Sequence, residues 1–251
     1  MADSLYDAIF ERKSIRRYTD EAVSADLQAE ILDYAQEGAL KLYPELPYAV
    51  EIVGADEVGK LAVSKAPHFL LFYAREGAGA YDHLLNAGFV LQQLDLWLHT
   101  RGLGRCWLGL AKPKQREKDG MQHCITLAFG HPAEPLSRTA ADFKRKPLEQ
   151  ISTGSDPRLE AARVAPSAVN SQTWFFDAHD GDIDVFMERT GAIKRRIYGS
   201  MNVIDSGIAL CHLYLASQHF DLPFNYQVMP EAQAPQKDGC IYMGTITGST
   251  S

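Results

Sequence analysis

Two short segments concentrate the residues with which this chain could do chemistry. Arg12-Lys13-Ser14-Ile15-Arg16-Arg17-Tyr18 sets four cations and a serine hydroxyl within seven residues. Clustered guanidinium and ammonium groups hold a phosphate through charge-assisted hydrogen bonds and leave a spare arginine to face a second anion. The same run would also serve as an ordinary solvated basic face. The second segment is Ala165-Pro166-Ser167-Ala168-Val169-Asn170-Ser171-Gln172-Thr173-Trp174. Pro166 stops a preceding helix, and the Ser and Asn side chains then offer donors and acceptors from a fixed turn. That suits a planar heterocycle edged with carbonyls and nitrogens, or more plainly an Asx-type turn leading into a strand.

Other chemistries are poorly represented. There is no G-x-S-x-G, G-x-G-x-x-G or P-loop, which disfavours hydrolase and Rossmann readings. The eight histidines show no metal-ligand spacing, so no metal site is expected. Cys106, Cys124, Cys211 and Cys240 form no C-x-x-C pair and read as small buried hydrophobes. Asp205 reads as an N-cap of the last long helix. Trp107, Trp174 and Phe175 read as core aromatics or as walls of a pocket.

The elements that must position these residues follow from periodicity and breakers. The first half predicts a helix opening near Tyr6, a turn over 18–23, and a helix over 25–38 capped by Ser24 and stopped by Gly38. It continues with a strand over 69–73, a helix over 81–100, a turn over 104–109 and a strand over 124–129. Residues 136–151 read as an exposed connector containing Phe143-Lys144-Arg145-Lys146-Pro147. The second half predicts a helix over 157–164, strands over 173–178 and 183–188, a helix over 204–219 and a strand over 240–245.

The order of the first half thus recurs in the second. Gly88, Leu91, Leu94, Leu96 and Leu103 meet Gly207, Leu210, Leu213, Leu215 and Leu222 at a constant offset of 119, and Cys124-Ile125 meets Cys240-Ile241 at 116. Any amphipathic helix shows leucine at helical spacing, so coincidence competes with duplication. The 251 residues suffice for one large domain or two small ones, with an apolar share of 46% that can build a core. A net charge of −7 argues against a broad nucleic-acid or anionic-membrane surface. No apolar run is long enough to span a bilayer, and Met1-Ala2-Asp3-Ser4 lacks the character of a secretory leader, so the cytoplasm is the expected location.

Arg12-x-Ser14-x-Arg16 followed by an aromatic, and Ala165-Pro166-Ser167-x-x-Asn170-Ser171-Gln172-x-Trp174, resemble the two flavin-binding motifs of the FMN-dependent nitroreductase family. Gly102-Leu103-Gly104 with Cys106-Trp107-Leu108-Gly109 is similar to the family's segment beneath the flavin. Gly130-His131-Pro132 with Lys144-Arg145-Lys146-Pro147-Leu148 is similar to its closing strand and basic tail. Relatives of ordinary length carry the Pro-Ser-Asn motif soon after the Arg-Ser-Arg motif, where this chain has Ala35-Gln36-Glu37-Gly38-Ala39. The displaced motif resembles the branch in which one chain is a fused pseudo-dimer.

That resemblance implies an α+β fold, nitroreductase-like and duplicated, with two mixed or antiparallel sheets and helices packed around and between them. It implies halves at 1–143 and 144–251 sharing one FMN, and a monomer with an internal pseudo-dimer that could associate further. Arg12, Lys144 and Lys146 would bind the phosphate, with Arg145 able to replace either lysine, Ser14 would add a hydroxyl contact, and Lys13 would belong to the same cofactor-binding segment. Arg16 would face the pyrimidine edge of the ring, and Pro166, Ser167, Ala168 and Asn170 the ring edge and ribityl. Backbone N–H groups of Leu108 and Gly109 would approach N5, although many relatives have an acidic residue where Leu108 stands. The implied activity is hydride transfer from NADH or NADPH through FMN to a nitroaromatic, quinone or similar small acceptor, with no catalytic side chain. A flavin storage or sensing protein, and a dehalogenase or flavin-fragmenting enzyme, remain open alternatives.

Overall fold

The computed structural model describes residues 2–59 and 65–248, so Met1 of the N-terminal stretch lies outside the described residues. The chain divides into two compact units, Glu11–Ala141 and Asp142–Ser251, the latter joined by Met1–Phe10. Among the described residues, no helix is long and apolar enough to cross a membrane.

Helix α1 (Ala2–Glu11) stacks Tyr6 on His219 of the C-terminal unit, with ring centroids 3.9 Å apart. In the Glu11–Ala141 unit, α2 (Ala25–Asp33) starts where expected, with the Ser24 hydroxyl accepting the Leu27 N–H. The expected single helix to Gly38 changes hydrogen-bond pattern on the way, becoming one π turn over Tyr34–Gly38. Strands β1 (Tyr48–Val53), β2 (His68–Ala74), β3 (Gly104–Leu108), β4 (Glu117–Lys118) and β5 (Met121–Gly130) form one sheet in the order β1-β2-β5-β3, with β4 beside β5. Both faces of β2 are buried, which explains its unbroken apolar run. Helix α3 (Asp82–Thr100) is buried from Leu85 to His99, on all sides, and carries Asn86, Gln92, Gln93 and Asp95 into the interior.

The C-terminal unit contains α4 (Leu148–Ile151), β6 (Ser152–Thr153), α5 (Leu159–Arg163), β7 (Trp174–His179), β8 (Asp182–Glu188), α6 (Ala192–His219), β9 (Asn225–Gln227) and β10 (Cys240–Thr247). Its sheet runs β6-β7-β8-β10-β9. Set β7, β8, β10 and β9 against β1, β2, β5 and β3, and the strand order is identical, with every one of these pairings antiparallel. The long central helix follows the second of these strands in both.

The two central helices also stop alike. At α3 the Gly102 N–H reaches the His99 carbonyl and the Leu103 N–H the Leu98 carbonyl, with Gly102 at φ 75°. At α6 the Leu222 N–H reaches the Ser217 carbonyl, with Asp221 at φ 53° in glycine's place. Both are Schellman-type stops, in which a left-handed residue lets the chain fold back onto orphan carbonyls. Leu103 and Leu222, paired in the sequence repeat, occupy the same place in the two stops.

Three expectations are corrected. The turn over 104–109 is strand β3, paired along its length with β5; its flanking glycines read as turn signals, yet Gly104 is needed because a Cβ there would lie 2.7 Å from the Ile15 side chain. Helix α6 begins at Ala192, well before the expected 204, and runs through Gly199-Ser200 without a break; a glycine penalty of about 1 kcal/mol is too small to end a helix by itself. Asp205 therefore sits mid-helix and caps nothing. None of the four cysteines is in a disulfide; Cys106 and Cys211 are buried, as expected, whereas Cys124 and Cys240 are half-buried.

Candidate functional site

In the Glu11–Ala141 unit the basic segment leaves α1 and runs in extended form beside β3 and the 131–134 stretch. The Ile15 N–H donates to the Arg105 carbonyl at 2.9 Å, Thr19 to His131, and Ala133 to Arg17. Glu134 accepts the backbone N–H groups of Arg16 and Arg17 at 2.8 and 3.2 Å. Those bonds, led by the Arg16 N–H, hold the Glu134 carboxyl below its ordinary value. The backbone is thus fixed while the Arg16 side chain stays exposed, and Lys13 and Ser14 are half-buried.

Arg12 turns inward. Its side chain is 2% exposed, with Nε 2.9 Å from Asp95 Oδ2, and its Nη2 donates to Ser14 Oγ at 3.4 Å. Asp95 on α3 is fully buried and also lies 3.5 Å from Nε of Arg105 on β3. Two arginines and one carboxylate leave this buried centre with one surplus positive charge. None of the three guanidinium nitrogens of Arg105 has a hydrogen-bond partner among the described residues. Burial lowers the Arg105 pKa to about 10, so the guanidinium is still protonated at neutral pH. A buried cation without full compensation is costly, and an anion beside it removes the cost.

Leu108 closes β3 half-buried and its carbonyl accepts the Ala111 N–H, while Leu110 two residues on is 56% exposed. Trp107 is half-buried, whereas Trp174 is fully buried as a core aromatic. Phe175 is half-buried, with the Lys237 ammonium 3.7 Å from its ring centroid.

In the C-terminal unit the Pro166–Gln172 segment is a turn with three non-glycine residues in the left-handed region: Val169 (φ 47°), Asn170 (φ 57°) and Gln172 (φ 48°). For β-branched Val169 this is a genuine outlier, sustained only where surrounding bonds over-determine it. They do so here. The Gln172 N–H donates to Ser167 Oγ, and the Gln172 carboxamide bridges the Asn170 carbonyl and the Lys146 N–H. Arg145 donates from Nε to the Val164 and Ala165 carbonyls and from Nη1 to Asn170 Oδ1 at 2.6 Å. Asn170 Nδ2 returns a bond to the Lys144 carbonyl, and Lys146 Nζ reaches the Gln172 carbonyl. From α6, Asp205 Oδ2 accepts the Ala168 N–H at 2.9 Å. Burial pushes the Asp205 carboxyl up to about 8, against the lowering effect of that N–H.

The structure therefore brings Arg12 and Ser14 together in one unit, and Lys144, Arg145, Lys146, Ser167, Ala168 and Asn170 together in the other. The 144–146 run, read as part of an exposed connector, is laced to the Pro166–Gln172 turn, and the Arg145 guanidinium is engaged in holding it. Lys144 is exposed. Asn170 retains one lone pair and one N–H for a ligand. Sequence reasoning missed Asp95, Arg105 and Gln172. Asp95 carried a usable signal: a lone carboxylate deep in an apolar helix needs a cation beside it.

Among curated proteins none matches. A structure described as a "putative nitroreductase" from Thermotoga maritima aligns over 97% of this chain and 93% of its own, at 20% identity and a TM-score of 0.64, a likeness of fold. A "putative nitroreductase in complex with FMN" from Desulfovibrio desulfuricans covers 58% of this chain and 93% of its own, at 25% identity and a TM-score of 0.44. A "putative NADH oxidase" from Clostridium acetobutylicum covers 58% and 97%, at 17% identity and 0.47. The family model described as "Putative TM nitroreductase" matches residues 4–217, most of the described chain, and the protein belongs to that nitroreductase family.

Proposed function

We propose that this chain is an FMN-dependent oxidoreductase that binds one FMN and passes reducing equivalents from NADH or NADPH to a nitroaromatic, quinone or similar small acceptor. The observation that carries the reading is the surplus buried charge of Arg12, Asp95 and Arg105, two guanidiniums on one carboxylate, beside the Arg12-x-Ser14-x-Arg16 motif. That donor set suits a phosphomonoester, which is what distinguishes FMN from riboflavin. The strained, multiply bonded Pro166–Gln172 turn suits recognition of a flat heterocycle's polar edge.

When bound, FMN supplies the two-electron chemistry, and the protein supplies position and electrostatics. Arg12, Lys13, Ser14, Lys144 and Lys146 hold the phosphate. Arg16, with its backbone pinned by Glu134, keeps a permanent cation for the electron-accepting edge of the ring. Pro166, Ser167, Ala168 and Asn170 orient ring and ribityl, and the backbone of Leu108 and Gly109 serves the N5 side. Arg145 acts on this set by fixing Asn170. Exposed Leu110 and Val169, at 56% and 74%, offer apolar surface next to these segments, which favours flat, apolar acceptors.

We further propose that the chain arose by duplication, each unit being one nitroreductase-like half. The matched strand order, the matched Schellman stops and the 119-residue offset support this. Stopped-flow absorbance of the flavin-loaded protein mixed with NADH or NADPH tests the enzymatic reading: the 450 nm band should bleach within a second and recover with a quinone. A loaded protein whose flavin stays oxidised for minutes is a binder, not this enzyme.

A further inference from the structure

Asp205 is the residue whose expected role failed, and its actual surroundings give it another. The 119-residue offset that pairs Gly88 with Gly207 also pairs Asn86 on α3 with Asp205 on α6. Both side chains are buried. Both accept backbone N–H groups from the segment that leads into the first long strand of their own sheet. Asn86 Oδ1 takes those of Leu42 and Tyr43 at 2.9 and 3.3 Å, ahead of β1. Asp205 Oδ2 takes that of Ala168 at 2.9 Å, ahead of β7. One helix position therefore performs one task in each unit, and the segment it holds is what differs. In the first it is a loop of ordinary apolar residues, pinned a second time by Gln93 to both the N–H and the carbonyl of Leu40. In the second it is the Pro166–Gln172 turn.

We propose that Asp205 is a positioning residue for the flavin: it touches no ligand, but by anchoring the Ala168 N–H it holds Ser167 and Asn170 in the conformation that recognises the ring. This rests on the FMN reading above. The bond lies immediately before Val169, the residue least able to sustain a left-handed φ unaided. Without an acceptor beneath Ala168, Val169 relaxes toward an ordinary backbone conformation and turns Asn170 with it. Arg145 and Gln172 hold Val164, Ala165 and Ser167 ahead of Val169 and Asn170 behind it, but neither accepts the Ala168 N–H, which is the bond Asp205 supplies.

The test compares wild type, Asp205→Asn and Asp205→Ala by quenching of FMN and of riboflavin fluorescence, with thermal unfolding as the fold control. Asn keeps an acceptor of the same reach and should bind FMN within about threefold of wild type. Ala should weaken FMN about tenfold or more and riboflavin by a similar factor, because the ring contacts and not the phosphate contacts are disturbed. A folded Asp205→Ala that binds FMN as wild type does, or an Asp205→Asn as weak as Ala, overturns the proposal. Amide hydrogen exchange at Ala168 in the wild type supplies a readout that needs no variant to fold. Slow exchange is expected, and exchange at the rate of an open loop overturns the proposal. Wild type that takes up no FMN fails the cofactor reading itself, a result distinct from both.

Discussion

Each unit buries an arginine, and the two are treated in opposite ways. Arg158 in the C-terminal unit is 1% exposed and fully provided for. Asp156 takes its Nε and Nη2 at 2.8 and 2.7 Å, and the Pro223 and Gly181 carbonyls accept further bonds. Arg105 in the Glu11–Ala141 unit is equally buried, yet its guanidinium has only the 3.5 Å approach to Asp95, a carboxylate it shares with Arg12. A satisfied buried arginine stabilises a fold, whereas an unsatisfied one is a strain that a ligand can relieve.

Removal of the carboxylate in each pair should sharpen that contrast. Asp95→Ala leaves two buried guanidiniums facing each other and should destabilise by about 3–5 kcal/mol, read from denaturant midpoints. Asp156→Ala leaves Arg158 with its carbonyl partners and should cost less, about 1–3 kcal/mol. Equal losses would erase the distinction. Arg105→Met removes the unsatisfied group and should change stability by less than about 1 kcal/mol. It should weaken FMN about tenfold while leaving riboflavin affinity nearly unchanged, since only FMN carries the phosphate. Loss of both ligands in parallel would assign Arg105 a purely structural part.

The clamps on the two central helices differ in whether they can ionise, and pH separates them. The Asp205 carboxyl is raised to about 8 in the folded protein from an ordinary value of 3.8. The folded state therefore keeps a proton that the unfolded chain releases. The stability this group contributes is fully present below about pH 4 and is lost as pH rises toward 8. Asp205→Asn cannot titrate, so its stability relative to wild type should climb across that interval; a flat difference from pH 4 to 8 would refute the assignment. Asn86, the counterpart on α3, is neutral and adds no such dependence. The smallest expected effect is at the α2 cap, where Ser24→Ala should lower stability by about 1 kcal/mol without touching flavin affinity.

Much of this was legible in the residues. The leucines of α3, the Ser24 cap, and the Pro166–Trp174 motif could be read because local periodicity, capping and turn chemistry determine them. The start of α6 was hidden because the helix runs on through Gly199-Ser200, residues of low helix propensity. Strand β3 was hidden because its bounding glycines serve close packing against Ile15 as well as turning. The bond between Arg145 and Asn170, and the sharing of Asp95 by Arg12 and Arg105, join residues from different elements; no spacing rule foretells them. Both basic segments were visible as charge, but only the fold shows that one arginine in each is committed inward.

The central claim is one FMN per chain, drawn from motifs that are split between two similar units. Titration of the purified 27.9 kDa chain with FMN, followed by fluorescence quenching at protein concentrations well above the dissociation constant, tests it directly. The account predicts a sharp break at one equivalent. A break at two would mean that both units retain a site, and no break at all would mean that neither does.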